Sequence, residues 1–217
     1  MGKIWTSPPE QIAVDGCLGV AGMSWCPLLD TLEVKIGKLH FGTVSRGRLA
    51  PGTETFNGKF GNIKEMDDFV PKQLTKRMVM SKFMGVFDLL GKLIPLRAKM
   101  KRDLRLLTNV VTSWDETVPD ELRSVWVKNF LDIEKAKGIK FSRPRMPIDA
   151  VDTKMRLIVM VDAATELIVV WSGVGFKRRG GDWSCSYLIG RCLLASGTTI
   201  PRDEMEALVA GSNMFGC

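Results

Sequence analysis

Arg156-Leu-Ile-Val-Met-Val-Asp162 is an apolar run closed by a carboxylate. It is too short for a helix and rich in Ile and Val, so it reads as a buried strand ending at Asp162. Leu167–Phe176 reads as a second strand, Lys177-Arg-Arg-Gly-Gly-Asp182 as the turn after it, and Trp183–Leu194 as a third strand. Pro201 suits the first turn of a helix running through Met205 and Leu208. A carboxylate at a strand end, backed by an apolar sheet, is held rigidly enough to meet a ligand. The helix after Pro201 carries Glu204 and Glu206, and the intervening meander could return them to the end of the first strand. Two such carboxylates could share Mg²⁺, a hard cation that takes oxygen ligands. The plainer reading stays open beside it, because Glu in a first helical turn is common for dipole reasons.

Upstream of the run, Phe141-Ser-Arg-Pro-Arg-Met-Pro147 has the prolines of a linker, and a domain boundary is expected there. Residues 74–137 read as helical. Thr75 is the candidate N-cap of a helix whose apolar positions are Met78, Phe83, Val86, Phe87 and Leu90, with Gly91 at its C-terminal stop. Pro95 opens a second helix reaching about Val110. A third begins in Asp115-Glu-Thr-Val-Pro-Asp-Glu-Leu122, carries the stripe Leu122, Val125, Trp126, Phe130 and Ile133, and ends at Gly138. Nearer the N-terminus, Val20–Trp25 and Thr31–Ile36 read as a β-hairpin. The stretch from Gly37 to Asp68 reads as loop, including the acidic Glu65-Met-Asp-Asp68. Trp25, Trp114, Trp126, Trp171 and Trp183 fall at stripe or strand positions and are expected in the core.

The 217 residues carry 31 Lys plus Arg against 24 Asp plus Glu, for a net charge of +7. That balance allows a polyanionic partner without requiring one. No apolar run reaches the length of a membrane-spanning helix, and Met-Gly-Lys-Ile-Trp at the start lacks the apolar core of a secretion signal. Cys17, Cys26, Cys185, Cys192 and Cys217 are odd in number and widely spaced, which suggests a reduced, intracellular chain without a zinc site. His40 is the single histidine, and a structural role is expected for it. Between Pro71 and Arg105 ten basic residues face only Asp88 and Asp103. Such a cluster is the footprint of a phosphate backbone or, equally, a solvated helix face. The Lys177-Arg-Arg179 turn could also touch phosphates.

Several stretches resemble, in collinear order, the polyproteins of BEL/Pao-type retrotransposons. Val20-Ala-Gly-Met-Ser-Trp25 with Asp30-Thr-Leu-Glu-Val-Lys35 resembles a hairpin that follows their polymerase palm. Leu74-Thr-Lys-Arg-Met-Val-Met-Ser-Lys-Phe-Met-Gly-Val-Phe-Asp-Leu-Leu-Gly91, Pro95-Leu-Arg-Ala-Lys99 and Trp114-Asp-Glu are similar to their thumb. Met160-Val-Asp-Ala-Ala164 resembles the strand that opens a ribonuclease H domain, and Thr199-Ile-Pro-Arg-Asp-Glu204 the start of its first helix.

The resemblance implies an α+β fold in two parts. Residues 1–145 would be the end of a reverse transcriptase (palm end, thumb and connection), and 150–217 the first half of a ribonuclease H-like mixed sheet with one helix. Asp162 and Glu204 would be its catalytic, Mg²⁺-binding carboxylates, and Glu206 would not be a ligand. Lys76, Arg77, Lys82, Arg97, Lys99, Lys101 and Arg102, with Lys177, Arg178 and Arg179, would contact an RNA–DNA hybrid or template–primer duplex. In the two-metal scheme of that class, one ion activates water and the other stabilises the leaving oxygen. Ala164 departs from the family's serine, and Thr165-Glu-Leu-Ile168 replaces a glycine-rich turn. No YxDD and no later nuclease aspartates are present, so the chain is expected to be an internal polyprotein piece, inactive alone. The rest of the polyprotein would be a partner, with no membrane involved and the cytoplasm or nucleus as its location. The alternatives are a non-catalytic nucleic-acid-binding module and a protein-interaction module.

Overall fold

The computed structural model describes residues 18–20, 22–42, 44–45, 48–49, 52–58, 61–151, 155–197 and 199–214. The N-terminal residues read for a secretion signal, together with Cys17 and Cys217, lie outside them. The fold is α+β, with antiparallel sheets and, among the described residues, five helices.

The first sheet runs in the order β1 (Leu18–Val20), β2 (Met23–Cys26), β3 (Thr31–Val34), β6 (Lys140–Ser142). The expected hairpin is β2–β3, turned by Asp30 at φ 48°. The Asp30 carboxylate accepts from Trp25 Nε1 at 3.3 Å and from Arg143 Nε at 2.7 Å, so the same turn fastens the chain just past β6. A small two-stranded ribbon, β4 (Val44–Ser45) and β5 (Arg48–Leu49), follows.

The region read as loop contains a helix, α1 (Ile63–Phe69). Asn62 caps it by accepting from the Glu65 backbone N–H at 3.0 Å, which satisfies one of the orphan donors of the first turn. Glu65-Met-Asp-Asp68 is therefore helical. Met66 is fully buried, and Asp67 pairs with Arg123. Seven residues carry too few apolar positions for a visible period.

Helix α2 (Lys76–Met84) starts at the expected Thr75 cap but stops at Gly85, well short of Gly91. The chain then turns, and the Asp88 carboxylate accepts from the backbone N–H groups of Lys92 and Leu93 at 2.9 and 2.6 Å. Those bonds fix the turn, and α3 (Ile94–Val110) starts afresh after it with Pro95 in its first turn. Helix α4 (Asp120–Ala136) begins after Pro119, later than the acidic run suggested, and ends before Gly138 at φ 75°. Helices α1 to α4 and the first sheet enclose the larger hydrophobic cluster, centred on Trp126, Phe130, Met66, Met100 and Leu107. Trp114 is 50% exposed and Trp183 44% exposed, so neither belongs to a core as expected.

The last sheet is the meander β7 (Arg156–Ala163), β8 (Leu167–Lys177), β9 (Trp183–Leu194). Short connections force antiparallel neighbours, and the three strands form the antiparallel meander that their spacing suggests. Helix α5 (Ile200–Asn213) covers one face, and Ile168, Val170, Ala195 and Ala207 form a second, smaller cluster beneath it. Strand β7 is not buried. It is an edge strand, and Met160 is 60% exposed.

The helical part and the meander meet where α3 begins. Gly190 N–H donates to Leu90 O at 2.9 Å. The Tyr187 hydroxyl lies 2.9 Å from Leu90 O and 2.7 Å from Gly91 O. Gly91 has φ 70°, and a Cβ there would stand 2.1 Å from Gly190 O. Its expected role as a helix stop is thus replaced by a close backbone crossing.

Candidate nucleic-acid interface

The basic residues of α2 and α3 are mostly committed within the fold. Lys76 is buried, and its ammonium donates to Val111 O at 2.7 Å. Arg77 grips Asp115 through two bonds of 2.7 and 3.0 Å, raising its own pKa and holding the Asp115 carboxyl below its ordinary range. Arg97 donates to Val86 O and lies 5.1 Å over the Phe83 ring. Lys99 pairs with Asp132 at 2.6 Å, and Arg102 with the buried Asp103 at 3.1 Å. Lys101 donates to Cys192 O, and Arg105 to Ala195 O at 2.6 Å. Lys76, Arg97, Lys101 and Arg105 thus serve backbone carbonyls, and Arg77, Lys99 and Arg102 serve carboxylates. Lys82 differs: it is half-buried over Phe41 and forms no ion pair among the described residues.

The end of the meander is more open. Lys177, Arg178 and Arg179 are exposed at the β8–β9 turn. Arg178 pairs with Asp149 at 2.7 Å. Lys177 stands opposite Trp183 in the ladder, and Arg156 lies 4.4 Å over the Trp183 ring. Basic side chains thus converge on one exposed indole. A phosphate backbone and a stacking base would each find a partner in such a patch.

The expected carboxylate pair is not brought together. Val161 and Ala163 pack into the cluster under α5, and Gly211 of that helix abuts Val159 and Val161. Strand alternation turns Asp162, which pairs with Val169, to the opposite face. Glu204 is exposed on α5 itself. The sheet therefore stands between the two groups. Ribonuclease H-like domains generally use Mg²⁺, but among the described residues no group of three or more His, Cys, Asp or Glu side chains could hold a metal. These donors do not fit the ion.

Sequence reading passed over Asp203. It is buried in the first turn of α5, and its carboxylate accepts from Ser196 N–H at 3.1 Å and Ser196 Oγ at 2.7 Å. It ties the end of β9 to the helix. Only its place in a first turn, beside the more conspicuous Glu204, could have signalled it.

An α+β chain in which a basic, antiparallel meander is followed by a covering helix is consistent with a ribonuclease H-like domain. The family model described as Pao retrotransposon-like RNaseH-like domain matches residues 75–216, and the chain belongs to that family. The match runs from the cap of α2 through α5 and so takes in both sides of the Leu90–Gly190 crossing. No curated protein matches the sequence.

Proposed function

We propose that this chain is the hybrid-holding part of a Pao-type retrotransposon's reverse transcriptase and ribonuclease H apparatus, and that by itself it binds RNA–DNA duplex without cleaving it. One observation carries the reading: Arg156 and Lys177 flank the exposed Trp183 at the open end of the meander, with Arg179 exposed on the adjoining turn, while most basic residues of α2 and α3 bond to the fold itself. Phosphate contacts would supply most of the affinity, and contacts to 2′-hydroxyls the preference for a hybrid. The separation of Asp162 from Glu204 argues against hydrolysis in this arrangement.

The test is anisotropy of a labelled hybrid at low and moderate salt. Lys177→Gln with Arg179→Gln should weaken binding about tenfold and flatten the salt dependence by about two charges. Binding that ignores salt would favour a protein-interaction module instead. Mg²⁺-dependent cleavage abolished by Asp162→Asn would overturn the claim that the chain does not cut.

A further inference from the structure

We infer that the cleft between the 36–40 segment and α2 is an anion site that takes a phosphate group through Lys82, Lys38, His40 and Ser81. None of these residues belongs to the meander, so the inference stands apart from the hybrid-holding reading. The cleft has a volume of about 260 Å³ and an apolar floor of Ile36, Val86 and Ile133. That is room for a phosphate with several waters.

Its polar lining is one-sided. Lys38, His40, Ser81 and Lys82 reach the cleft, and among the described residues no carboxylate does. Helix α4 contributes only Ile133. Elsewhere on α2 and α3 the basic side chains have a carbonyl or an acid against them, as Lys76, Arg77, Lys99 and Lys101 do. Lys82 has neither among the described residues, although it is half-buried. Nδ1 of His40 is buried and without a hydrogen-bond partner. Buried polar atoms are nearly always satisfied, so an unpaired nitrogen in the same cleft as an unpaired ammonium marks a missing partner, which is an acceptor wherever Nδ1 carries the proton. An oxyanion supplies acceptors to both, and the Ser81 hydroxyl can donate to a third oxygen.

The electrostatics agree. Burial lowers the pKa of Lys82. Burial, and then the Lys82 charge, lower that of His40, opposed in part by the Gly42 backbone. A buried ammonium, and an imidazole that burial and this ammonium both hold neutral, are each relieved by an anion in the cleft.

His40 is the only histidine, so its imidazole proton signal in NMR reports on the cleft without assignment. With inorganic phosphate added to the full chain at constant ionic strength, that signal should shift saturably and its pKa should rise. Lys82→Met should weaken the response about tenfold or more, and Lys82→Arg should retain it. A short RNA–DNA hybrid without terminal phosphates forms the second arm. A response to the hybrid alone makes the ligand a backbone diester, and a response to inorganic phosphate alone makes it a free or terminal phosphate; either supports the site. No saturable shift with either probe, or an undiminished shift in a folded Lys82→Met chain, would overturn it.

Discussion

Arg123 reaches from the first turns of α4 to the end of α1. Its guanidinium donates to Pro71 O at 3.1 Å, Val70 O at 2.7 Å, Asp67 O at 3.0 Å and the Asp67 carboxylate. One planar fork thus satisfies carbonyls that the end of a seven-residue helix leaves without partners. Arg123→Met should cost about 3 kcal/mol in urea unfolding, because those carbonyls stay buried. Lys in its place should restore little, since a point charge cannot serve several acceptors at once. The same pair sets an acid limb. The Arg123 guanidinium beside Asp67 holds its carboxyl below the ordinary 3.8. A depressed folded pKa gives stability that is complete above the unfolded value and is lost as pH falls through the folded one. Stability should therefore decline below about pH 4, and Arg123→Met should flatten that decline. In the sequence, Arg123 reads as one basic residue on a helix. Its acceptors lie about fifty positions away, and no local pattern names them.

Among the elements, the turn from α2 into α3 departs most from expectation. Apolar spacing from Met78 to Leu90 continues a helical period, yet the backbone leaves the helix at Gly85. The period survives because Val86 and Leu90 still pack inward on the larger cluster, while Phe87 is left exposed. Periodicity reports burial, and a turn can keep burial without keeping the helix. The glycine after it has a use that spacing could not reveal. Gly91→Ala should lower stability by about 1–3 kcal/mol through its left-handed backbone alone, and by more because the methyl meets Gly190 O. Gly138→Ala is the control. It shares a positive φ but has open space at the Cβ position, so a smaller thermal shift should follow. Strand β7 shows the reverse kind of miss. Its Ile and Val content is that of an interior strand, but it lies at the sheet's edge. Composition gives a strand's propensity, while its neighbours decide its burial.

Across the whole molecule, the part built on the larger cluster is joined to the meander at the crossing of Leu90 and Gly91 with Gly190 and Tyr187. Burial, and then Asp88, push the Tyr187 phenol well above its ordinary 10.0. A raised folded pKa gives stability present below the unfolded value and lost as pH rises past it. Tyr187 is the only tyrosine, so its ultraviolet titration reads the crossing directly. The phenol should ionise above pH 10 only as the junction opens, and Tyr187→Phe should unfold less steeply with alkali while losing about 1 kcal/mol at neutral pH. The sequence by itself determined the α+β class, the α3 helix, the meander and the helix after Pro201, because turn residues and apolar periods act over a few positions. It also carried the family resemblance. Tertiary structure alone decided which cations are free, which face Asp162 presents, and where the helical part meets the meander. Those depend on which distant carbonyl, carboxylate or backbone lies opposite each side chain, and no short-range pattern in the chain encodes it.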